Sequence, residues 1–109
     1  MRQEPCKAFG HLFPADAALF AAVEAALSGW NLPDCAELTG DLLRIDFEGV
    51  FFPLDDVLEA VRPFLKPESA GKIDLIDMEQ WTLTRTTFAG TAMTTKTVGL
   101  NHVLDYSGH

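Results

Sequence analysis

Eight of the nine threonines in this chain fall within sixteen residues, from Thr82 to Thr97. A β-branched hydroxyl side chain loses rotamer freedom in a helix and suits a half-exposed pleated surface, so the segment predicts two strands folded back about Ala89-Gly90. Two registers compete. A two-residue loop at Ala89-Gly90 sets Thr82 opposite Thr97 and Thr84 opposite Thr95, with Trp81, Leu83 and Val98 on the other face. Alanine is a poor first residue for the left-handed hairpin turns. A three-residue loop at Phe88-Ala89-Gly90 instead sets Thr84 opposite Thr94 and Thr87 opposite Thr91. Either register leaves one hydroxyl-rich face. Each threonine pair adds only about 0.2–1 kcal/mol, so their number speaks for strand formation before it speaks for recognition.

The rest of the chain supplies helices and further strands. Residues 15–28 are rich in alanine, carry an apolar stripe of Phe20, Val23 and Leu27 with Leu19 and Ala26 beside it, and stop at Gly29, a residue suited to a left-handed cap. So weakly polar a helix predicts cover on more than one side. Leu43, Ile45 and Phe47 alternate with Arg44, Asp46 and Glu48, the pattern of a strand with one wet face; Gly40-Asp41 makes the turn that precedes it. Pro53, with Asp55 and Asp56 in the first turn, starts a second helix whose stripe is Leu54, Val57, Leu58, Val61 and Leu65; Pro63 and Pro67 mark its end. Between Ile73 and Leu83 the apolar positions change parity, which predicts bulges near Leu75-Ile76 and Glu79-Gln80. Leu100, His102, Leu104 and Tyr106 alternate as a further short strand.

The order predicts one α+β domain over residues 1–109, an antiparallel sheet with two helices packed on one face. With Cys6–Phe13 as a first strand, a ferredoxin-like β-α-β-β-α-β core with an extended C-terminal hairpin fits. Without that strand the order is α-β-β-α-β-β.

The charge of −8 is unevenly spread: residues 1–80 carry 15 acidic and 6 basic side chains, residues 81–109 one acid and two bases. An acidic body lacks the clustered basic footprint that phosphate backbones require, so nucleic acid is not the expected partner. No apolar run approaches the ~20 residues of a membrane span, and the N-terminus leads into no signal-like core, so no membrane partner and a cytoplasmic location are expected. The two cysteines, Cys6 and Cys35, are expected as reduced thiols, with a redox pair as the alternative.

No motif carries chemistry. The carboxylate pairs Asp46/Glu48, Asp55/Asp56, Asp74/Asp77 and Asp77/Glu79 lack a setting that would push two pKa values apart; the histidines have no metal-ligand spacing, and no serine sits in a strand-to-helix elbow. The expected function is a non-enzymatic interaction or regulatory module without cofactor or metal. Its partner would be another protein or a second copy of the chain in a homodimer, met through the hairpin residues Thr82, Thr84, Arg85, Thr95 and Thr97, with Trp81 and Leu83 packing beneath. The alternative is a small-ligand-binding protein or an enzyme with a pocket between helices and sheet, lined by Trp30, Phe51, Phe52 and Trp81 with His11 or His102 as a polar group.

Overall fold

The computed structural model describes residues 6–32 and 34–100. Along the chain lie β1 (Cys6–Phe13), α1 (Ala17–Ser28), β2 (Ala36–Thr39), β3 (Leu42–Gly49), α2 (Leu54–Val61), a short 3-10 turn (Arg62–Phe64), β4 (Ala70–Asp77), β5 (Thr82–Ala89) and β6 (Ala92–Gly99). The six strands form one sheet in the order β2-β3-β1-β4-β5-β6, and every neighbouring pair is antiparallel. The α+β expectation holds.

Register assigns each strand residue to a face. Ala8 lies opposite Phe47 on one side and Leu75 on the other, and Leu75 lies opposite Thr84. That face carries Ala8, Leu12, Leu43, Ile45, Phe47, Ile73 and Phe88, which form one buried cluster with Leu19, Val23 and Leu27 of α1 and Val57, Leu58 and Val61 of α2. Both helices therefore cover this face, and the stripes read from the sequence supply the contacts. The stripe on α1 is turned slightly, with Leu19 buried and Phe20 half-buried. Its outer alanines, Ala17, Ala18, Ala21 and Ala25, are exposed, so within one chain the helix is covered on one side only.

Local signals set the ends of the elements. Asp16 caps α1 by accepting the Leu19 N–H at 2.9 Å. The expected left-handed Gly29 is right-handed instead (φ −60°), and Asn31 takes the left-handed position at φ +58°. The Leu32 N–H reaches the Leu27 carbonyl at 3.1 Å and the Asn31 N–H that of Ser28 at 3.0 Å, the paired bonds of a Schellman ending, in which asparagine can replace glycine. Trp30 is thereby held at the last turn. Pro53 flanks α2, which begins one residue later, at Leu54.

Three strand expectations are corrected. Pairing of β4 with β1 and β5 runs without interruption, so there is no bulge at Leu75-Ile76; Ile76 simply faces the other side of the sheet, opposite Leu83. Glu79 and Gln80 belong to the β4–β5 turn, where both donate N–H groups to Asp77 Oδ1 at 3.0 and 3.1 Å. In the hairpin neither expected register occurs. The loop is Gly90-Thr91, Ala89 pairs with Ala92, and Thr84 pairs with Thr97. Gly90 is left-handed at φ +64°, as the first central residue of a primed turn should be. Beyond β6, the Leu100 N–H bonds the Trp81 carbonyl at 2.8 Å; His102, Leu104 and Tyr106 lie outside the described residues.

Among the described residues no helix is long and apolar enough to cross a membrane.

Candidate functional site

The hairpin residues named by the sequence divide between the two faces. Thr82, Thr84, Thr95 and Thr97 stand on the helix-covered side, in register with Asp77, Leu75, Ile73 and Leu75 of β4 respectively. Their hydroxyls pair across the strands: Thr84 with Thr97 at 2.9 Å, and Thr95 with Thr86 at 3.0 Å. Thr86, which the sequence reading passed over, is fully buried, while Thr95 and Thr97 at the outer strand are exposed. The ladder thus runs from the core out to the sheet edge.

Arg85 is on the opposite face. It makes a two-pronged contact to Asp74, Nε to Oδ1 at 2.7 Å and Nη2 to Oδ2 at 3.0 Å. The Asp74 side chain is 5% exposed and that of Arg85 47%. The bonded carboxylate pushes the guanidinium pKa up from its already high value, so Arg85 stays charged. Its first role is to satisfy a buried carboxylate. Trp81 does not pack beneath the threonines: it sits in the β4–β5 turn at φ +59° and is 43% exposed. Leu83 does lie on the face away from the threonines, opposite Val98.

Three of the residues expected at a pocket do converge. Trp30 and Phe51, both about half exposed, have ring centroids 4.9 Å apart at 46° and form two walls of a cleft of about 360 Å³. Leu75 and Thr84 of the sheet and the first turn of α2 also line it, and buried Phe52 packs behind on Phe47 at 5.3 Å. Trp30 Nε1–H donates to Asp56 Oδ2 at 2.7 Å, which ties the end of α1 to the start of α2. Trp81 is not part of this lining; His102 lies outside the described residues.

The uncovered face of the sheet holds what the sequence reading missed. Following the register, it carries Lys7, Arg44, Lys72, Arg85 and Lys96 against Glu37, Asp46, Glu48 and Asp74. With Asp34, which lines the concavity over this face, five of the chain's eight basic residues and five of its sixteen acids share it, so the face as a whole is balanced and the net charge of −8 lies elsewhere in the sequence. Arg44, His11 and Lys72 are direct neighbours across β3, β1 and β4, beside exposed Phe9 and Phe13. A shallow concavity of about 960 Å³ lies over this row. Alternation along each strand is the only signal that could have found this surface, and it requires the correct register.

Cys6 and Cys35 are both half-buried thiols. Cys6 on β1 lies opposite Gly49 of β3, whereas the Cys35 carbonyl takes the Asp46 N–H at the far side of β3. One intervening strand separates the two chains by about 10 Å, beyond the roughly 7 Å that a disulfide spans, so the redox-pair alternative fails in this fold. Among the described residues no group of three or more histidine, cysteine or acidic side chains is placed to hold a metal.

Comparison with protein-family models, with curated proteins and with solved structures gives no match.

Proposed function

We propose that the protein is a non-enzymatic interaction module that docks through the outer edge of its Thr-rich hairpin, by adding a strand from a partner protein or a second copy to β6. The observation that carries this reading is the form of β6. Its eight residues, Ala92–Gly99, pair continuously with β5, contain no proline or bulge, and bear one charge, Lys96. Among the described residues β6 has a strand neighbour on one side only. Sheet edges are commonly blunted by charges, proline, bulges or shortness, and the opposite edge, β2, is four residues long.

In a two-residue hairpin the closing pair exchanges both hydrogen bonds and bonded pairs alternate from there. The backbone groups of Met93, Thr95 and Thr97 consequently point away from β5, ready for strand addition. The same reading takes the core as ferredoxin-like with an appended hairpin. Its support is that α1 joins β1 to β2 across β3, while α2 joins β3 to β4 across β1, a split βαβ plan. A reducing, cytoplasmic setting is part of the proposal and fits two thiols too far apart to pair.

Thr97→Pro removes one outward N–H, whereas Thr97→Ala keeps it while deleting the same hydroxyl. Expected is loss of partner recovery, or of self-association by sedimentation, in Thr97→Pro alone. Binding by Thr97→Pro at the level of Thr97→Ala would sink the edge reading.

A further inference from the structure

The geometry points to the cleft between Trp30, Phe51 and the start of α2 as a binding site for a small organic cation, an ammonium group carrying short alkyl substituents. This deepens the small-ligand alternative and stands independently of the β6 edge. The two rings are in tilted contact, centroids 4.9 Å apart at 46°, so no group enters between them and a ligand meets only the outer surfaces they turn to the cleft, where a ring face carries the negative part of its quadrupole. A cation set over such faces is attracted, most strongly by tryptophan, and alkyl substituents bury against Leu75 and Leu54 on the lining. A volume of about 360 Å³ lies within the range of small-ligand sites.

Charge decides the sign of the ligand. Asp55 and Asp56 contribute two carboxylates to the lining, and no lysine, arginine or histidine takes part in it. The α2 N-terminus opposes them with a dipole equivalent to only about half a positive charge, so the local field stays negative. Asp56 already accepts the Trp30 indole N–H through Oδ2. That bond ties the ring to the start of α2. An anion would meet the charges of Asp55 and Asp56, and the lining side chains offer it no free donor, since the Thr84 hydroxyl is engaged with Thr97 and the Trp30 N–H with Asp56.

The test is titration of the full chain by calorimetry with choline and, in parallel, with 3,3-dimethyl-1-butanol, which has the same shape and no charge. Choline is expected to bind at least about tenfold more tightly, and its affinity to fall as salt is raised. The double variant Asp55→Asn/Asp56→Asn keeps an acceptor for Trp30 and removes both charges; it is expected to lose about tenfold toward choline and nothing toward the neutral compound. Trp30→Leu is expected to weaken choline binding by a similar factor. Equal binding of the two compounds to the wild-type chain would overturn the cation assignment while keeping a ligand pocket. Binding of neither would overturn the assignment of this cleft to a small alkylammonium ligand. Because the wild-type comparison needs no substitution, a variant that fails to fold leaves the inference open to refutation.

Discussion

Replacing Arg85 with leucine removes the only described hydrogen bonds made by the Asp74 carboxylate, at 2.7 and 3.0 Å, while that side chain remains 5% exposed. Breaking a fully buried pair by deleting one partner costs about 3–5 kcal/mol. Here the cost should be nearer 2–3 kcal/mol, because the guanidinium is half in water and its removal opens a path for water to the carboxylate. The reciprocal change, Asp74→Leu, strands only Arg85, which turns into solvent, and puts an apolar side chain beside Phe9. That loss should be below about 1 kcal/mol, in the range of exposed ion pairs. For a chain of this size about 4 °C of melting temperature corresponds to each kcal/mol, so Arg85→Leu should melt roughly 8–12 °C lower and Asp74→Leu less than about 4 °C lower. Urea unfolding followed by tryptophan fluorescence, with melting curves by circular dichroism, reads both. The double variant should resemble Asp74→Leu alone. Equal losses in the two single variants, or a larger one for Asp74→Leu, would refute the account of Arg85 as the satisfier of a buried charge.

The cysteines and the centre of the sheet give two further tests. Burial first, then Asp77, pushes the Cys6 thiol pKa up, and burial followed by Asp34 does the same for Cys35. Both should therefore react with iodoacetamide at pH 7.5 more slowly than cysteine in an unstructured peptide, and equal rates would contradict the burial. Because the raised value belongs to the folded state, its stability contribution is full below the ordinary thiol pKa and declines as pH rises through the folded values. At Gly10 an added Cβ would stand 2.7 Å from the Ile73 Cα and inside contact of the Lys72 carbonyl, both backbone groups that can yield only by parting β1 from β4. Gly10→Ala should cost about 3 kcal/mol or more in urea unfolding, the upper range of overpacking, and a loss under 1 kcal/mol would show that the strands are less tightly joined.

Elements with a local signature were legible in the sequence. Leu43-Arg44-Ile45-Asp46-Phe47-Glu48 alternates and is β3; Pro53 with Asp55 and Asp56 announces α2, and the stripe Val57, Leu58, Val61 is what α2 buries. The threonines did predict a hairpin, yet its register shifted because Gly90 is the first loop residue and not the second. Strand order was not legible, since β1 pairs with β3 and β4 through contacts that no local pattern encodes. For the site, period-two alternation alone puts Arg85 on the other face from Thr82 and Thr84, a separation that the grouping by composition overrode. The Asp74–Arg85 contact and the sorting of charge between faces needed the register and could not be had from spacing. Trp30 and Phe51 were named for the right cleft, but the hydrogen bond to Asp56 that fixes Trp30 depends on Asn31 taking the left-handed position expected of Gly29.

The division of charge between the two layers has a consequence for how the molecule is met in solution. Its shortest dimension is 21 Å, whereas at physiological ionic strength charges are felt over only about 8 Å. An approaching body therefore senses the side in front of it and not the total of −8. From the helical side it meets the five acids Asp16, Glu24, Asp55, Asp56 and Glu59 against the single base Arg62, from the bare sheet a mixed surface of both signs. The repulsion of polyanions inferred from net charge belongs to one side of the protein. Two copies colliding in dilute salt should be repelled most when helices face helices, an orientation preference distinct from edge pairing and strongest when salt is low.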